Sequence, residues 1–157
     1  MRRIKLDKID RKILFHLQGD GRMTNVDLAK KAGISAPPCL RRVRALEEAG
    51  FILRYHAILD PVAMGYGVTV FAQVKLVSQA ESDLKQFDVL VKSWPQVREA
   101  HMLAGETDFL LKIVAKDWDD YQKFLTEKLT SAPNVTSVKS SLAVQTTKHD
   151  SGIPVEL

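Results

Sequence analysis

Three arginines crowd into four positions of this chain, Arg41, Arg42 and Arg44 in the stretch CLRRVRALEEAG. A guanidinium is a planar fork of donors. It pairs with two acceptors at once, which suits the edge of guanine in a DNA major groove or the oxygens of a phosphate. Helical spacing sorts the three. Cys39, Val43 and Leu46 recur at a period that buries one face, with Leu40 beside them; Arg41 then falls nearly opposite that stripe, and Arg42 and Arg44 flank it. A second constellation is Gly105-Glu106-Thr107-Asp108. Glycine lets a backbone approach a ligand closely, and a turn offers N–H groups to a carboxylate and a carboxylate to an ammonium. By itself, G-x-x-D marks no more than a hairpin turn. Catalytic chemistry has no comparable cluster. His16, His56, His101 and His149 are scattered, Cys39 is the single cysteine, and no nucleophile elbow, phosphate loop or dinucleotide fingerprint occurs. Neither an enzyme, a metal nor a cofactor is expected.

The arginines need a helix to present them, and the flanking sequence supplies one. Thr24 and Asp27 fit a capping box that opens a short helix through Val26, Leu28 and Ala29. Lys30, Lys31 and Gly33 suit its C-terminus. Ser35 is a good N-cap for the next helix, from about Ala36 to Ala49. Pro37 and Pro38 fall in its first turn, where the N–H groups have no intrahelical partner to lose. A glycine-turned pair of helices with a basic second member is a helix-turn-helix, and its partner is double-stranded DNA. Ser35, with the N-terminal ends near Thr24 and Asn25, is placed to grip phosphate. An earlier helix, roughly Asp7 to Gln18, packs on the pair through Leu6, Ile9, Ile13, Leu14 and Leu17. Phe51 to Leu59 is rich in β-formers and reads as a wing or a strand-like connector.

From Gly67 the texture changes. Alternation over Val68 to Leu76 predicts a strand, helical spacing returns over Glu81 to Lys92, and strands follow at Val97 to Ala104 and Phe109 to Ala115. Asp117 to Leu129 reads as a helix and Val135 to Thr147 as a last strand. The order βαββαβ is the ferredoxin-like plan. Ser93-Trp94-Pro95-Gln96-Val97 and Ser131-Ala132-Pro133-Asn134-Val135 share S-x-P-x-V at matching places in the two halves, which points to a duplicated unit. Helices cover one face of such a sheet. Here Phe109, Leu111 and Ile113 lie on one side of a strand, Leu110 and Val114 on the other, and Phe71 interrupts a polar face. Apolar residues on both faces predict dimerisation through the sheet. The fold class expected is α+β, with domains at 1–50 (helix-turn-helix, winged-helix-like), 51–66 (connector) and 67–157 (ferredoxin-like).

Charge follows the same division. Residues up to Asp60 carry a net +6 and the remainder a net −2, although the whole chain of 157 residues is only +4. Basicity local to the helix pair suits a nucleic-acid-binding head on a neutral body. No apolar run approaches a membrane span, and the opening MRRIKLDKID has no apolar core of a secretory signal. A cytoplasmic location without a membrane partner is expected.

These features resemble the Lrp/AsnC family of feast/famine transcriptional regulators. The resemblance is carried by LDKIDRKILFHLQGDGRMTNVDLAKKAGISAPPCLRRVRALEEAGFI in the head, by AGETDFLLKIV in the body, and by the βαββαβ order. It implies a regulator that dimerises through the second domain, assembles further into octamers or related rings, and binds an amino acid in clefts between dimers. The family's effector loop, G-x-x-D, maps onto Gly105, Glu106, Thr107 and Asp108, and its ligand cleft onto Met102, Leu142 and Ala143. Met102 and Leu142 lean towards a hydrophobic or medium-sized side chain. Two other readings share the two-domain plan: an enzyme similar to sirohaem decarboxylases, and an architectural DNA-compacting protein without effector. The intact basic helix and the absence of a clustered His/Arg constellation weigh against the enzyme.

Overall fold

The computed structural model describes residues 5–150 and 152–157. The chain folds into two compact units. One takes in the described residues up to Ile58 and from Lys148 on, and the other spans Leu59–Thr147.

The first unit is built on three helices, α1 (Lys8–Gly19), α2 (Asn25–Ala32) and α3 (Ala36–Glu48). Their apolar stripes meet in a small core of Ile13, Leu28, Ala29, Ala32, Cys39 and Leu46, each all but closed to solvent. Ala29 and Ala32 keep the contact side of α2 small, so the three helices crowd together. Burial pushes the Cys39 thiol above its ordinary pKa and leaves it a packing residue. Gly33 takes the left-handed conformation at φ 77° that turns α2 into α3, and the Ile34 N–H returns to the Ala29 carbonyl at 3.0 Å. Pro37 and Pro38 do stand in the first turn of α3.

Two local expectations are corrected. The Thr24 hydroxyl accepts from the Asp27 N–H at 3.2 Å, but the Asp27 carboxylate turns to the Thr24 hydroxyl at 2.6 Å rather than to the backbone. That is half a capping box. The reciprocal box belongs to α1, where the Asp10 N–H donates to Asp7 at 2.8 Å and the Asp7 N–H to Asp10 at 3.1 Å. Phe51 to Leu59, the expected wing or strand-like connector, forms no strand. The Phe51 N–H and Ile52 N–H both fold back to the Leu46 carbonyl, and among the described residues no strand lies beside those that follow to complete a ladder.

The second unit has the order β1 (Val68–Leu76), α4 (Glu81–Ser93), β2 (Val97–Met102), β3 (Phe109–Ala115), α5 (Trp118–Phe124) and β4 (Val135–Leu142). The strands form one antiparallel sheet in the order β2-β3-β1-β4. β1 and β3 alternate cleanly, so Val70, Ala72, Val74, Phe109, Leu111 and Ile113 enter a core closed by Phe87 and Val91 of α4 and Tyr121 and Phe124 of α5. Burying each large side chain of this kind contributes about 1.5–3 kcal/mol. The last turn of the second helix, Leu125–Leu129, is π rather than α: the Thr130 N–H and hydroxyl both reach the Leu125 carbonyl at 2.9 Å. The duplicated S-x-P-x-V segments make the same turn. The Val97 N–H donates to the Trp94 carbonyl at 3.1 Å, and the Val135 N–H to the Ala132 carbonyl at 3.3 Å, with Trp94 and Ala132 both buried. The face away from the helices carries Phe71, Leu110 and Val114, none of them closed off, among Gln73, Lys112 and Lys139.

Candidate DNA-contact face and ligand loop

α3 presents Arg41 and Arg44 on one side. At about 100° per residue the two lie about 60° apart, and both are exposed. Neither forms an ion pair with another described residue. Ser35, at the start of the helix, is exposed and its hydroxyl makes no capping bond. These three of the six DNA candidates keep their polar groups available.

The other three have partners inside the head. Thr24 is held by Asp27, as described above. The Asn25 amide donates to the Ala36 carbonyl at 2.8 Å, bracing α2 against the start of α3, while its Oδ1 is buried without a protein partner. Arg42 turns back towards α1. Its Nη1 donates to Asp7 Oδ2 and to Asp10 Oδ1, each at 2.7 Å. These bonds raise the Arg42 pKa, Asp10 contributing more than Asp7. Asp7 is held below the usual carboxylate range by the Asp10 N–H and then by Arg42. Sequence reasoning missed Asp7 and Asp10; the D-x-x-D spacing ahead of an apolar stripe was the available signal.

In the second unit, Gly105 and Glu106 are exposed in the loop between β2 and β3, and Thr107 is partly covered. A Cβ built on Gly105 would meet nothing within 4 Å, and its φ lies outside the left-handed region. Nothing in this protomer requires a glycine there. Asp108 faces the other way. It is 3% exposed, and its Oδ2 accepts from the Leu76 N–H and its Oδ1 from the Gln79 amide, both at 2.7 Å. Its own N–H donates to the Val74 carbonyl at 3.0 Å and its carbonyl accepts from the Leu103 N–H at 2.8 Å. Asp108 is thus the hub that ties the loop to the end of β1.

Met102 and Leu142 are each about half exposed and stand at opposite edges of the sheet. Met102 is in register with Phe109, which pairs with Val74; Leu142 pairs with Val70. Three strand spacings and four residues of rise separate them, about 14 Å across and about 13 Å along. Ala143 continues beside Leu142, its N–H on the Thr69 carbonyl at 2.9 Å. One protomer therefore brings Met102 to the loop but holds Leu142 and Ala143 far from it.

Two further features belong to neither group. Glu99, on the outer face of the sheet, accepts from Lys112 at 2.7 Å, and this bond lowers its pKa. An open cavity of about 990 Å³ in the first unit is lined by Phe15, His16, Met23, Ile58, His149 and Pro154 among others, and by none of the candidate residues. Among the described residues no helix is long and apolar enough to cross a membrane.

Comparison with known proteins follows the same division. Residues 6–52 match a winged helix-turn-helix DNA-binding domain, and residues 69–153 match the Lrp/AsnC ligand binding domain. The leucine-responsive regulatory protein of Rhizobium meliloti (strain 1021) is 51% identical over 146 residues, 93% of this chain and 94% of that one. Its namesake in Escherichia coli (strain K12) is 37% identical over 151 residues, 96% and 92% of the two chains. Among solved structures, a transcriptional regulator of Neisseria meningitidis in complex with L-Met has a TM-score of 0.91 at 37% identity, covering 96% of this chain and 97% of that one. An AsnC family regulator from Agrobacterium tumefaciens has a TM-score of 0.89 at 37% identity, covering 95% and 97%. With a DNA-binding helix-turn-helix joined to a ferredoxin-like ligand domain, this chain belongs to the Lrp/AsnC family of transcriptional regulators.

Proposed function

We propose that this regulator binds a pseudo-palindromic operator as a dimer or higher assembly in the cytoplasm, and that an amino acid adjusts its binding. The observation that carries the DNA reading is the pair Arg41 and Arg44, exposed together on α3. α3 enters the major groove, the two guanidiniums contact bases and phosphates, and Ser35 takes a phosphate at its N-terminus. Thr24 and Asn25 hold the start of the helices at that backbone. In this reading the protein regulates rather than catalyses, which the helix-turn-helix match and the relatives named as regulatory proteins support.

The ligand reading rests on Gly105 and on the spacing across the sheet. A Cβ at Gly105 would stand in open space, and in this reading that opening lets a ligand reach the loop backbone. Met102 with Gly105, Glu106 and Thr107 makes one wall of a cleft; Leu142 and Ala143 of a neighbouring copy make another. Such a site needs a second copy of the chain, and in this reading that copy belongs to a neighbouring dimer of a higher assembly such as an octamer. Asp108 serves it by holding the loop. The relatives named for leucine and the neighbour bound to L-Met favour an apolar amino acid.

Gel-shift titration with genomic fragments over a range of salt tests the DNA reading. Arg41→Ala with Arg44→Ala should weaken binding and reduce the log–log salt slope by roughly one unit for each phosphate no longer neutralised, about two at most. An unchanged slope and affinity sink it. For the ligand, a thermal-shift screen of amino acids should yield a saturable hit that Gly105→Val removes without lowering the melting temperature of the free protein. A flat screen at millimolar ligand rejects sensing and leaves DNA binding standing.

A further inference from the structure

We infer that Arg42 is a positioning residue for DNA binding. With Asp7 and Asp10 it forms a clamp that fixes the rotation of α3 and so aims Arg41 and Arg44, without touching DNA itself.

Every carboxylate oxygen of the clamp has a partner. Asp7 Oδ1 is taken by the Asp10 N–H and Asp10 Oδ2 by the Asp7 N–H, which leaves one oxygen on each carboxylate. Both remaining oxygens lie 2.7 Å from the same nitrogen, Arg42 Nη1. Asp10 is 8% exposed, and a carboxylate that far from water needs a cation or a full set of donors. Swinging Arg42 out to a phosphate would strand it. A phosphate that came to Arg42 instead would meet two carboxylates within a few ångströms, where like charges repel.

The position of Arg42 on the helix gives the clamp its effect. It lies about 100° around α3 from Arg41 and about 160° from Arg44, between the buried stripe and the exposed arginines. With side chains, a helix has a radius of about 5–6 Å, so a 20° rotation carries a guanidinium about 2 Å. That displacement is enough to lose a bidentate bond to a base. At the core α3 is held by Ala36, Cys39, Val43 and Leu46, apolar contacts without direction, and at its first turn by the Asn25 amide on the Ala36 carbonyl. The clamp adds two directional, charge-assisted bonds at a fixed azimuth.

This inference rests on α3 being the helix that enters DNA, and the test separates the two. Binding of the full chain is measured by anisotropy against two probes, the genomic fragment the protein retains most tightly and poly(dI-dC), across a range of salt. Arg41→Gln should lower the salt slope by about one unit on both probes. Arg42→Gln should leave the slope within half a unit, weaken the genomic fragment at least tenfold, and leave poly(dI-dC) within about twofold. Asp7→Asn, which removes no cation, should shift the ratio of the two affinities in the same direction, and the double variant should do no more than Arg42→Gln alone. Should Arg42→Gln fail to fold, Asp7→Asn, the half-exposed side of the clamp, decides. A slope reduced by Arg42→Gln as much as by Arg41→Gln overturns the inference. So does tighter binding of both probes by Asp7→Asn, or equal weakening on both probes, which is what mere loss of folded protein produces. If Arg41→Gln changes neither the slope nor the affinity for either probe, it is the underlying reading of α3 that fails.

Discussion

Asp108 shows how a residue changes meaning when its surroundings are known. In the sequence it closes a G-x-x-D loop and reads as a carboxylate offered to a ligand's ammonium. In the fold it is buried, and both oxygens are taken by the Leu76 N–H and the Gln79 amide. Removing it leaves a buried backbone N–H without an acceptor, a loss of about 2 kcal/mol. Asp108→Ala should therefore lower the melting temperature of the ferredoxin-like domain by about 10 °C in calorimetry, whether or not a ligand is present. Asp108→Asn should cost under about 1 kcal/mol, because its carbonyl still accepts from Leu76 and the Gln79 amide can flip to accept from the new amide. Equal damage by both variants would show that charge, not acceptor geometry, is what the site needs. The arginines divide in the same way. Residue type and helical spacing read Arg41, Arg42 and Arg44 as one basic group. Only the position of Asp7 and Asp10, 35 and 32 residues away in sequence, separates Arg42 from the other two. A pairing over that distance leaves no periodic trace in a single sequence.

Elements were legible where periodicity and end signals agree. The three helices of the head and the βαββαβ order emerge from apolar spacing, Gly33, the prolines of α3 and the two S-x-P-x-V turns. The misses share one cause: a backbone's hydrogen-bond partner is chosen by its neighbours. Phe51 to Leu59 has β-forming residues but no strand beside it. The second helix of the ferredoxin-like unit does run to Leu129 as expected, its last turn π where Thr130 and Ser131 bond carbonyls of the preceding turn. The C-terminal stretch from Lys148 packs in the first compact unit, although the match to the ligand binding domain runs on to residue 153. There the Gln18 amide brackets Ile153, donating to its carbonyl at 2.7 Å and accepting from its N–H at 3.2 Å. Gly152 permits this, with φ 128° and no Cβ; a Cβ would fall 2.4 Å from Gln18. A side chain at this φ is strained, by about 1–3 kcal/mol, and displaces the bracket. Gly152→Ala should accordingly raise hydrogen exchange at the Ile153 amide at least tenfold, as should Gln18→Ala, with α1 unaffected. Unchanged protection in Gly152→Ala would show that the segment is held by its other contacts.

At the scale of the whole molecule, the open question is what covers the second face of the sheet. Phe71 is 38% exposed there, and Leu110 and Val114 are only partly covered. On a dimer formed through that face, Phe71→Asp places a charge where water is excluded. It should raise the dimer dissociation constant at least about 100-fold, the equivalent of about 3 kcal/mol. Phe71 points away from the protomer's own core, so the far-ultraviolet spectrum should not change. Analytical ultracentrifugation decides; a variant that stays dimeric at micromolar concentration moves the interface elsewhere. Whatever depends on near neighbours and on composition could be read along the chain. That includes the two-domain plan, the concentration of positive charge in the head, the basic helix and its capped predecessor, and the resemblance to Lrp/AsnC regulators. Whatever depends on residues brought together from afar emerged only in the fold. The fold set Arg42 against α1, turned Asp108 inward, and placed Met102 and Leu142 on opposite edges of one sheet. The physical reason is that helical and strand periods are properties of a few consecutive residues. The partner of a buried charge, and the distance between two sheet edges, are properties of the folded chain.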